Sequence, residues 1–163
     1  MHIFSWAEID GLIDLLAESL RERPFDSVVG ISRSGLIPAV MLSHRLGVRD
    51  FAILDIPRTA TEGANAPKRP PEMRGVLNEG LLDGRRLLVV DDIVGSGETM
   101  AMARRWLTPR ARAMTCVALV VNQDNLGTRD LAALAEHVAA SVHGWVAFPW
   151  EHHPQEEDAC AKP

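Results

Sequence analysis

Leu87-Leu88-Val89-Val90-Asp91-Asp92-Ile93-Val94-Gly95-Ser96-Gly97-Glu98-Thr99 is the stretch on which the fold turns. It opens inside the apolar run Arg86 to Val90, the pattern of a strand buried on both faces. That run leads straight into two adjacent carboxylates. Neighbouring side chains on an extended chain point to opposite sides. Two acids at such a place are costly unless a metal, sugar hydroxyls or a basic partner meets them. Gly95-Ser96-Gly97 then enters a predicted helix, Glu98 to Leu107, which Pro109 stops. Glycines let successive N–H groups converge, and the helix N-terminus adds its dipole. The result is a cradle for a phosphate, to which Ser96 and Thr99 add hydroxyl donors. The residues alone also allow a plainer reading, in which the aspartates only cap the helix. Two other phosphate motifs fail: G-x-G-x-x-G would need glycine at Met100, and the P-loop would need a lysine that is absent.

Upstream, Ser5-Trp6-Ala7-Glu8 reads as a capping box. Ile9, Leu12, Ile13, Leu16 and Leu20 continue it at helical spacing, ending before Pro24. Ser27 to Ile31 is a short β-branched run that predicts a strand. Gly35 to Leu46 predicts a helix closed by Gly47, with Pro38 in its first turn, where a missing N–H costs nothing. Asp50 to Ile56 predicts another strand. Residues 57–72 carry Pro57, Gly63, Pro67, Pro70 and Pro71 and almost no apolar content, which predicts a long loop of functional or disordered kind. Downstream, Ala113 to Val121 predicts a buried strand, 129–137 a weak helix and Val138 to Val142 a last strand. The polar tail 152–163 is expected to fray. Strands alternating with helices predict an α/β fold: a Rossmann-like, mostly parallel sheet flanked by helices. Such sheets bind ligands at the carboxyl ends of their strands, so the loops after residues 31, 56, 90 and 121 are the informative ones.

With 163 residues and 47% apolar content, the chain is expected to form one domain with a real core. Its net charge of −5 gives no drive toward nucleic acid or an anionic membrane. A phosphorylated ligand must therefore be held locally, by backbone N–H groups, a metal and a few arginines. Cys116 lies in an apolar run and Cys160 in a polar tail, a poor disulfide framework; a reducing, cytoplasmic setting is expected. The first residues, MHIFSWAEID, have no basic stretch followed by an apolar one, and no apolar run nears 18 residues. Neither a signal peptide nor a membrane span is expected.

The Asp-Asp loop resembles the 5-phosphoribosyl 1-diphosphate (PRPP) motif of the type I phosphoribosyltransferases. In that motif an apolar strand ends in two acids and a Thr/Ser-Gly-x-Thr loop follows. A second segment agrees: Gly30-Ile31-Ser32-Arg33-Ser34-Gly35-Leu36-Ile37-Pro38-Ala39 resembles the family's pyrophosphate loop and following helix. A third, Trp145-Val146-Ala147-Phe148-Pro149-Trp150-Glu151, resembles the Trp-x-x-x-Pro-Trp-Asp/Glu of the bacterial xanthine–guanine branch. The three stand in family order at about family spacing across residues 4–151.

The resemblance implies a type I phosphoribosyltransferase domain over residues 1–151, with a small hood formed by 143–151. It implies Mg²⁺-dependent transfer of the phosphoribosyl group from PRPP to a purine-like base, with release of pyrophosphate. Ser32, Arg33, Ser34 and Gly35 would hold the pyrophosphate, the family's peptide there often being strained or cis. Asp91 and Asp92 would take the ribose hydroxyls, directly or through Mg²⁺ and water. Arg33, Asp91 and Asp92 are the implied catalytic residues. Gly95, Ser96, Gly97, Glu98 and Thr99 would wrap the 5-phosphate. Trp145 would stack on the base, the Val146 backbone would read its edge, and Glu151 would accept from a base N–H or exocyclic amine. The loop 57–72, with Arg58, Lys68 and Arg69, would close over the site; a solvent loop is the alternative. A homo-oligomer, dimer or tetramer, is implied as well.

The chain departs from the purine pattern in three places. Gly95 stands where many purine enzymes have an Asp proposed as general base. Asn122, an amide that both donates and accepts, stands where they have a lysine directed at the exocyclic oxygen of the base. No tyrosine exists for the usual Ser-Tyr of the mobile loop. All three touch the base half of the site. A PRPP- or nucleotide-sensing module on the same fold is therefore the alternative function. Elsewhere, plain readings are expected. Ser32 is not a nucleophile elbow, because Ser34 replaces the required glycine. His44 and His137 are expected on helix surfaces, and His152 and His153 in a solvated tail. Cys116 is expected to be an inert core thiol, and Trp6 and Trp106 packing residues.

Overall fold

The computed structural model describes residues 1–57 and 69–151. A six-stranded sheet carries the molecule. Its strands are β2 (Ser27–Ser32), β3 (Phe51–Asp55), β4 (Gly75–Leu77), β5 (Arg86–Val94), β6 (Ala113–Asn122) and β7 (His137–Val142). Their order across the sheet is β4-β3-β2-β5-β6-β7; every neighbouring pair is parallel except the edge pair β3–β4. Two further strands, β1 (His2–Ile3) and β8 (Val146–Ala147), pair in parallel as a separate two-stranded sheet. The helices are α1 (Trp6–Leu20), α2 (Leu36–Leu46), α3 (Glu98–Leu107) and the single turn α4 (Gln123–Leu126). The α/β fold expected from the pattern of elements is the fold observed.

The strands read as apolar runs because both faces of the sheet are covered. Val28, Leu88, Val90, Val117 and Leu119 face α1 and α2 and pack with Ile9, Ile13, Leu16, Leu20, Ala39 and Leu42. The alternate residues Val29, Leu87, Val89, Cys116 and Ala118 face α3 and pack with Met100, Ala103 and Leu107. The α1 capping box forms as expected: Glu8 N–H donates to Ser5 Oγ at 3.2 Å, and Ser5 N–H to Glu8 Oε2 at 2.7 Å. Cys116 is fully buried, and that burial pushes its thiol up to about 12, as an inert core residue requires.

Four expectations are corrected. First, the central strand does not stop at Val90. It runs to Val94, because pairing with β6 continues through Ile93–Val120 and Val94–Val121. Asp91 and Asp92 are thus strand residues. Second, residues 129–137 form no α-helix. Leu131–Ala133 make one 3₁₀ turn, and a helical turn sits earlier, at α4, where the Asn122 side chain caps it. Third, β4 was not expected; three residues on a sheet edge leave little periodicity to read. Fourth, His137 opens β7 instead of lying on a helix surface, and its buried Nε2 has no hydrogen-bond partner among the described residues. Residues 58–68 and 152–163 lie outside the described residues, and with them most of the expected closing loop and the tail.

Candidate active site

The carboxyl ends of β2, β3, β5 and β6 open into a cleft of roughly 530 Å³. Parallel pairing places these ends side by side, where loops are free to diverge around a ligand. One wall is the turn after β2, carrying Ser32, Arg33 and Ser34; the Ser32–Arg33 peptide bond is cis. Ser32 Oγ donates to Asp55 Oδ1 at 2.8 Å, tying this turn to the end of β3. Asp55 also receives Arg74, whose Nε and Nη2 lie 3.1 and 3.0 Å from Oδ2. These hydrogen bonds, that from Ser32 first, hold the Asp55 carboxyl below its usual range.

The floor is the end of β5. Asp91 and Asp92 are only 7% and 8% exposed. Asp92 N–H donates to Asp91 Oδ1 at 3.0 Å, and Ile93 N–H to Asp92 Oδ1 at 2.9 Å. Among the described residues neither carboxylate has an ion-pair partner. Burial is the main cause that raises both above the ordinary carboxylate range, Asp91 well above it and Asp92 to about 6; the negative charge of Asp92 adds to it for Asp91, and that of Glu151 for Asp92. Paired buried acids of this kind need a ligand supplying positive charge or hydroxyl donors. The donor set fits a hard divalent cation that keeps water or substrate oxygens for its remaining positions. No cluster of three or more His, Cys, Asp or Glu side chains exists among the described residues to hold a metal by protein ligands alone.

Gly95 to Thr99 form the adjoining rim. Gly97 has φ +77 and opens α3. A Cβ there would stand 2.3 Å from Leu134 Cδ1, the far end of a side chain that can turn aside, so it is the positive φ that calls for glycine. Gly35 is confined by space: its Cβ would meet Ile31 O at 2.5 Å and Asp91 Oδ1 at 2.7 Å. The close approach of α2 to β5 thus seats Asp91. Glu98 starts α3 and accepts from Ser96 Oγ at 3.2 Å. The far rim is Trp145, 42% exposed, beside buried Val146 and Phe148. Beneath it Phe4, Phe148 and Trp150 stack, with ring centroids 5.7 and 4.6 Å apart, and Trp6 tilts against Trp150. Glu151 Oε2 accepts from Phe148 N–H at 3.0 Å.

Of the residues expected at the site, Ser32, Arg33, Ser34, Asp91, Asp92, Gly95, Ser96, Gly97, Thr99, Asn122, Trp145, Val146 and Glu151 all line this cleft. Gly35 and Glu98 stand just behind it. Asn122 is only 5% exposed, and its amide is engaged: Oδ1 accepts from Asp124 N–H at 3.1 Å and Asn125 N–H at 3.4 Å, and Nδ2 donates to a backbone carbonyl. Asp55, Arg74, Asn125 and Phe148 line the cleft and were not expected. Asp55 was within reach of sequence reading, since it ends a parallel strand. Arg74 was not, because only the antiparallel edge pair β3–β4 brings it to Asp55.

The Phosphoribosyl transferase domain model matches residues 5–157. The xanthine-guanine phosphoribosyltransferase of Gluconobacter oxydans is 30% identical over 156 residues, covering 92% of this chain and 84% of that protein. The enzyme of the same name from Cereibacter sphaeroides is 31% identical over 125 residues, covering 77% and 68%. Among solved structures, a purine phosphoribosyltransferase from Pyrococcus horikoshii superposes with a TM-score of 0.75 at 26% identity, over 94% of this chain and 95% of that one. A hypothetical protein from Neisseria gonorrhoeae with bound ppGpp shares the fold, with a TM-score of 0.72 at 21% identity over 93% and 90%. A domain match over nearly the whole chain, joined to relatives of this identity and coverage, decides the matter: the chain belongs to the phosphoribosyl transferase family and is a transferase enzyme of that kind.

Proposed function

We propose that this enzyme binds PRPP at the Asp91–Asp92 end of the cleft and transfers its phosphoribosyl group to a purine-like base at the Trp145 end, releasing pyrophosphate. The observation that carries the reading is the pair of buried carboxylates at the end of β5, without an ion-pair partner among the described residues, directly before the Gly95–Thr99 loop and facing the Ser32–Ser34 turn. Ribose hydroxyls suit the acids, a 5-phosphate suits the N–H groups of Gly95, Ser96, Gly97, Glu98 and Thr99, and a diphosphate suits the Arg33 turn with Ser32, Ser34 and Gly35. The relatives named above, two xanthine-guanine enzymes and a purine enzyme, support a purine-like acceptor.

In the transfer, the bond from ribose C1 to the diphosphate oxygen breaks, a bond from C1 to a base nitrogen forms, and the proton released from the base passes to water or to the departing diphosphate. Positive charge grows on the ribose and negative charge on the departing diphosphate. Arg33, with Arg74 at the mouth of the cleft, opposes the latter. Mg²⁺ held by Asp91 and Asp92, directly or through water, would supply further charge neutralisation of the diphosphate. Trp145 offers a face for the base to stack on, Val146 its backbone, Asn122 its remaining amide hydrogen and Glu151 a carboxylate acceptor. The family's general base has no counterpart at Gly95. We read residues 143–151 as the hood of a domain spanning 1–151, and the working form as a cytoplasmic homo-oligomer, dimer or tetramer; sedimentation of the full chain tests the last.

The test is pyrophosphate release from PRPP and Mg²⁺ across a panel of purine and pyrimidine bases. Base-dependent release that Asp91→Asn/Asp92→Asn abolishes establishes the reading and identifies the acceptor. PRPP binding without release for any base would move the assignment to a sensing role. Absence of PRPP binding would sink both.

A further inference from the structure

The peptide that presents Trp145 is gripped from both sides. Gly144, the residue before it, donates its N–H to Asp124 Oδ2 at 2.7 Å. Its carbonyl accepts from Asn122 Nδ2, also at 2.7 Å. Both partners belong to one turn: Asn122 ends β6 and caps α4, and Asp124 is the second residue of α4. Asn122 Oδ1 holds that turn together by accepting from Asp124 N–H and Asn125 N–H. Asp124 Oδ1 is met in addition by His143 Nδ1 at 2.7 Å, and Gln123 Nε2 donates to Ser141 Oγ at 3.0 Å. Four side-chain contacts thus run from one short turn to residues 141–144. Register explains the proximity: Asn122 and Val142 are direct partners where β6 and β7 end together.

We infer that Asn122 and Asp124 are positioning residues, a two-armed clamp on Gly144 that sets the height and tilt of Trp145 over the base. The inference rests on the reading of Trp145 as the base platform. It deepens that reading by giving the amide at 122 a task beyond touching substrate. The two arms differ in strength. The Asn122 arm is the less solvent-exposed of the two, its own side chain almost fully buried although Gly144 is exposed. The Asp124 arm is charge-assisted, but its carboxylate is half-exposed and screened. Trp145 itself is 42% exposed, so packing covers only part of it and backbone anchoring helps to fix it. Small errors in placing a substrate-orienting group lower transfer steeply.

Asp124 does not line the cleft, which makes it the sharper probe. Asp124→Ala removes one arm without touching the base. Asp124→Asn keeps an oxygen acceptor for Gly144 N–H. Asn122→Asp keeps the α4 cap and destroys the other arm by setting a carboxylate against the Gly144 carbonyl. The expected result is a KM for the preferred base raised about fivefold in Asp124→Ala, an unchanged KM for PRPP, and rescue in Asp124→Asn. Asn122→Asp is expected to raise the same constant further. The second readout is acrylamide quenching of Trp145, isolated by subtracting a Trp145→Phe counterpart of each variant. Quenching is expected to rise in Asp124→Ala and Asn122→Asp and to return in Asp124→Asn. If Asp124→Ala leaves the base KM and the quenching unchanged, or raises both KM values equally, the clamp is overturned and Asn122 acts by direct contact alone. If the wild-type chain releases no pyrophosphate with any base, the transfer reading fails by itself, and the quenching series still decides whether the clamp holds the indole.

Discussion

Asp91 and Asp92 make the apo-enzyme less stable than it need be. Both are buried, and burial raises the pKa of each above that of an unfolded aspartate. The sign follows from proton linkage. Below the unfolded aspartate range both states are protonated and the pair costs nothing. As pH rises from the unfolded aspartate range toward the native values, with Asp92 at about 6, the unfolded chain sheds protons that the native state still holds, and stability is lost. Asp91→Asn/Asp92→Asn keeps the Oδ1 acceptors for Asp92 N–H and Ile93 N–H and removes the charges. In metal-free buffer the double variant is expected to melt higher than wild type at pH 7.5, by roughly 2–4 °C for each kcal/mol relieved. The gain is expected to vanish near pH 4, while pyrophosphate release is abolished; calorimetry at the two pH values checks it, and equal melting at both would refute the linkage. Gly35 offers a second test at this scale. A Cβ there collides with the Ile31 carbonyl and Asp91 Oδ1, and backbone cannot give way cheaply. Gly35→Ala is therefore expected to lower kcat/KM for PRPP by at least about tenfold, at a folding cost on the order of 1–3 kcal/mol.

Between elements, the cleft depends on contacts that no single segment announces. Arg74 stands just before β4, an edge strand of three residues, and reaches Asp55 at the end of β3. Asp55 in turn receives Ser32 from the end of β2, so one carboxylate ties three loops at the diphosphate side. Arg74→Ala is expected to raise the KM for PRPP about tenfold with little change in melting temperature, because the ion pair is largely solvent-exposed. An unchanged KM would confine Arg74 to a surface role. The sequence made the parallel strands, the α1 capping box and the full length of α3 legible, since each rests on a local pattern: Ser5 with Glu8, the apolar runs, the Gly97-to-Leu107 helix. Thirteen residues of the cleft lining were legible through the three segments that resemble the family's motifs. Arg74 was illegible because it acts through a pairing distant in sequence, and Asn125 because it sits in the single turn α4, too short to leave a periodic pattern. The true end of β5 was hidden for a related reason: two carboxylates look like a strand terminus until the β6 register carries pairing past them to Val94.

For the molecule as a whole, the N-terminus completes the Trp145 end of the cleft. β1 pairs with β8, so His2 N–H donates to Trp145 O at 2.8 Å and Phe4 N–H to Ala147 O at 3.0 Å. The Phe4 ring lies parallel to Phe148, which stacks in turn on Trp150. The chain therefore closes on itself: its first residues brace the Trp145–Phe148 rim directly, while the Asp91–Asp92 floor hangs on the central strand. This division separates two kinds of damage. Phe4 is 5% exposed within the core shared with Ile9, Ile13 and Phe148, and truncating such a ring costs about 3–5 kcal/mol. Phe4→Ala is accordingly expected to lower the melting temperature and to raise the KM for the base severalfold. PRPP binding to the surviving folded protein, measured by calorimetry below the melting transition, is expected to stay within about twofold of wild type, since sites without shared partners act nearly independently. Phe4→Leu, which keeps most of the buried volume, is expected to recover most of the stability and part of the base affinity. Equal loss of PRPP and base affinity in Phe4→Ala would show that the two ends of the cleft stand or fall together, and that the rim is no separate unit.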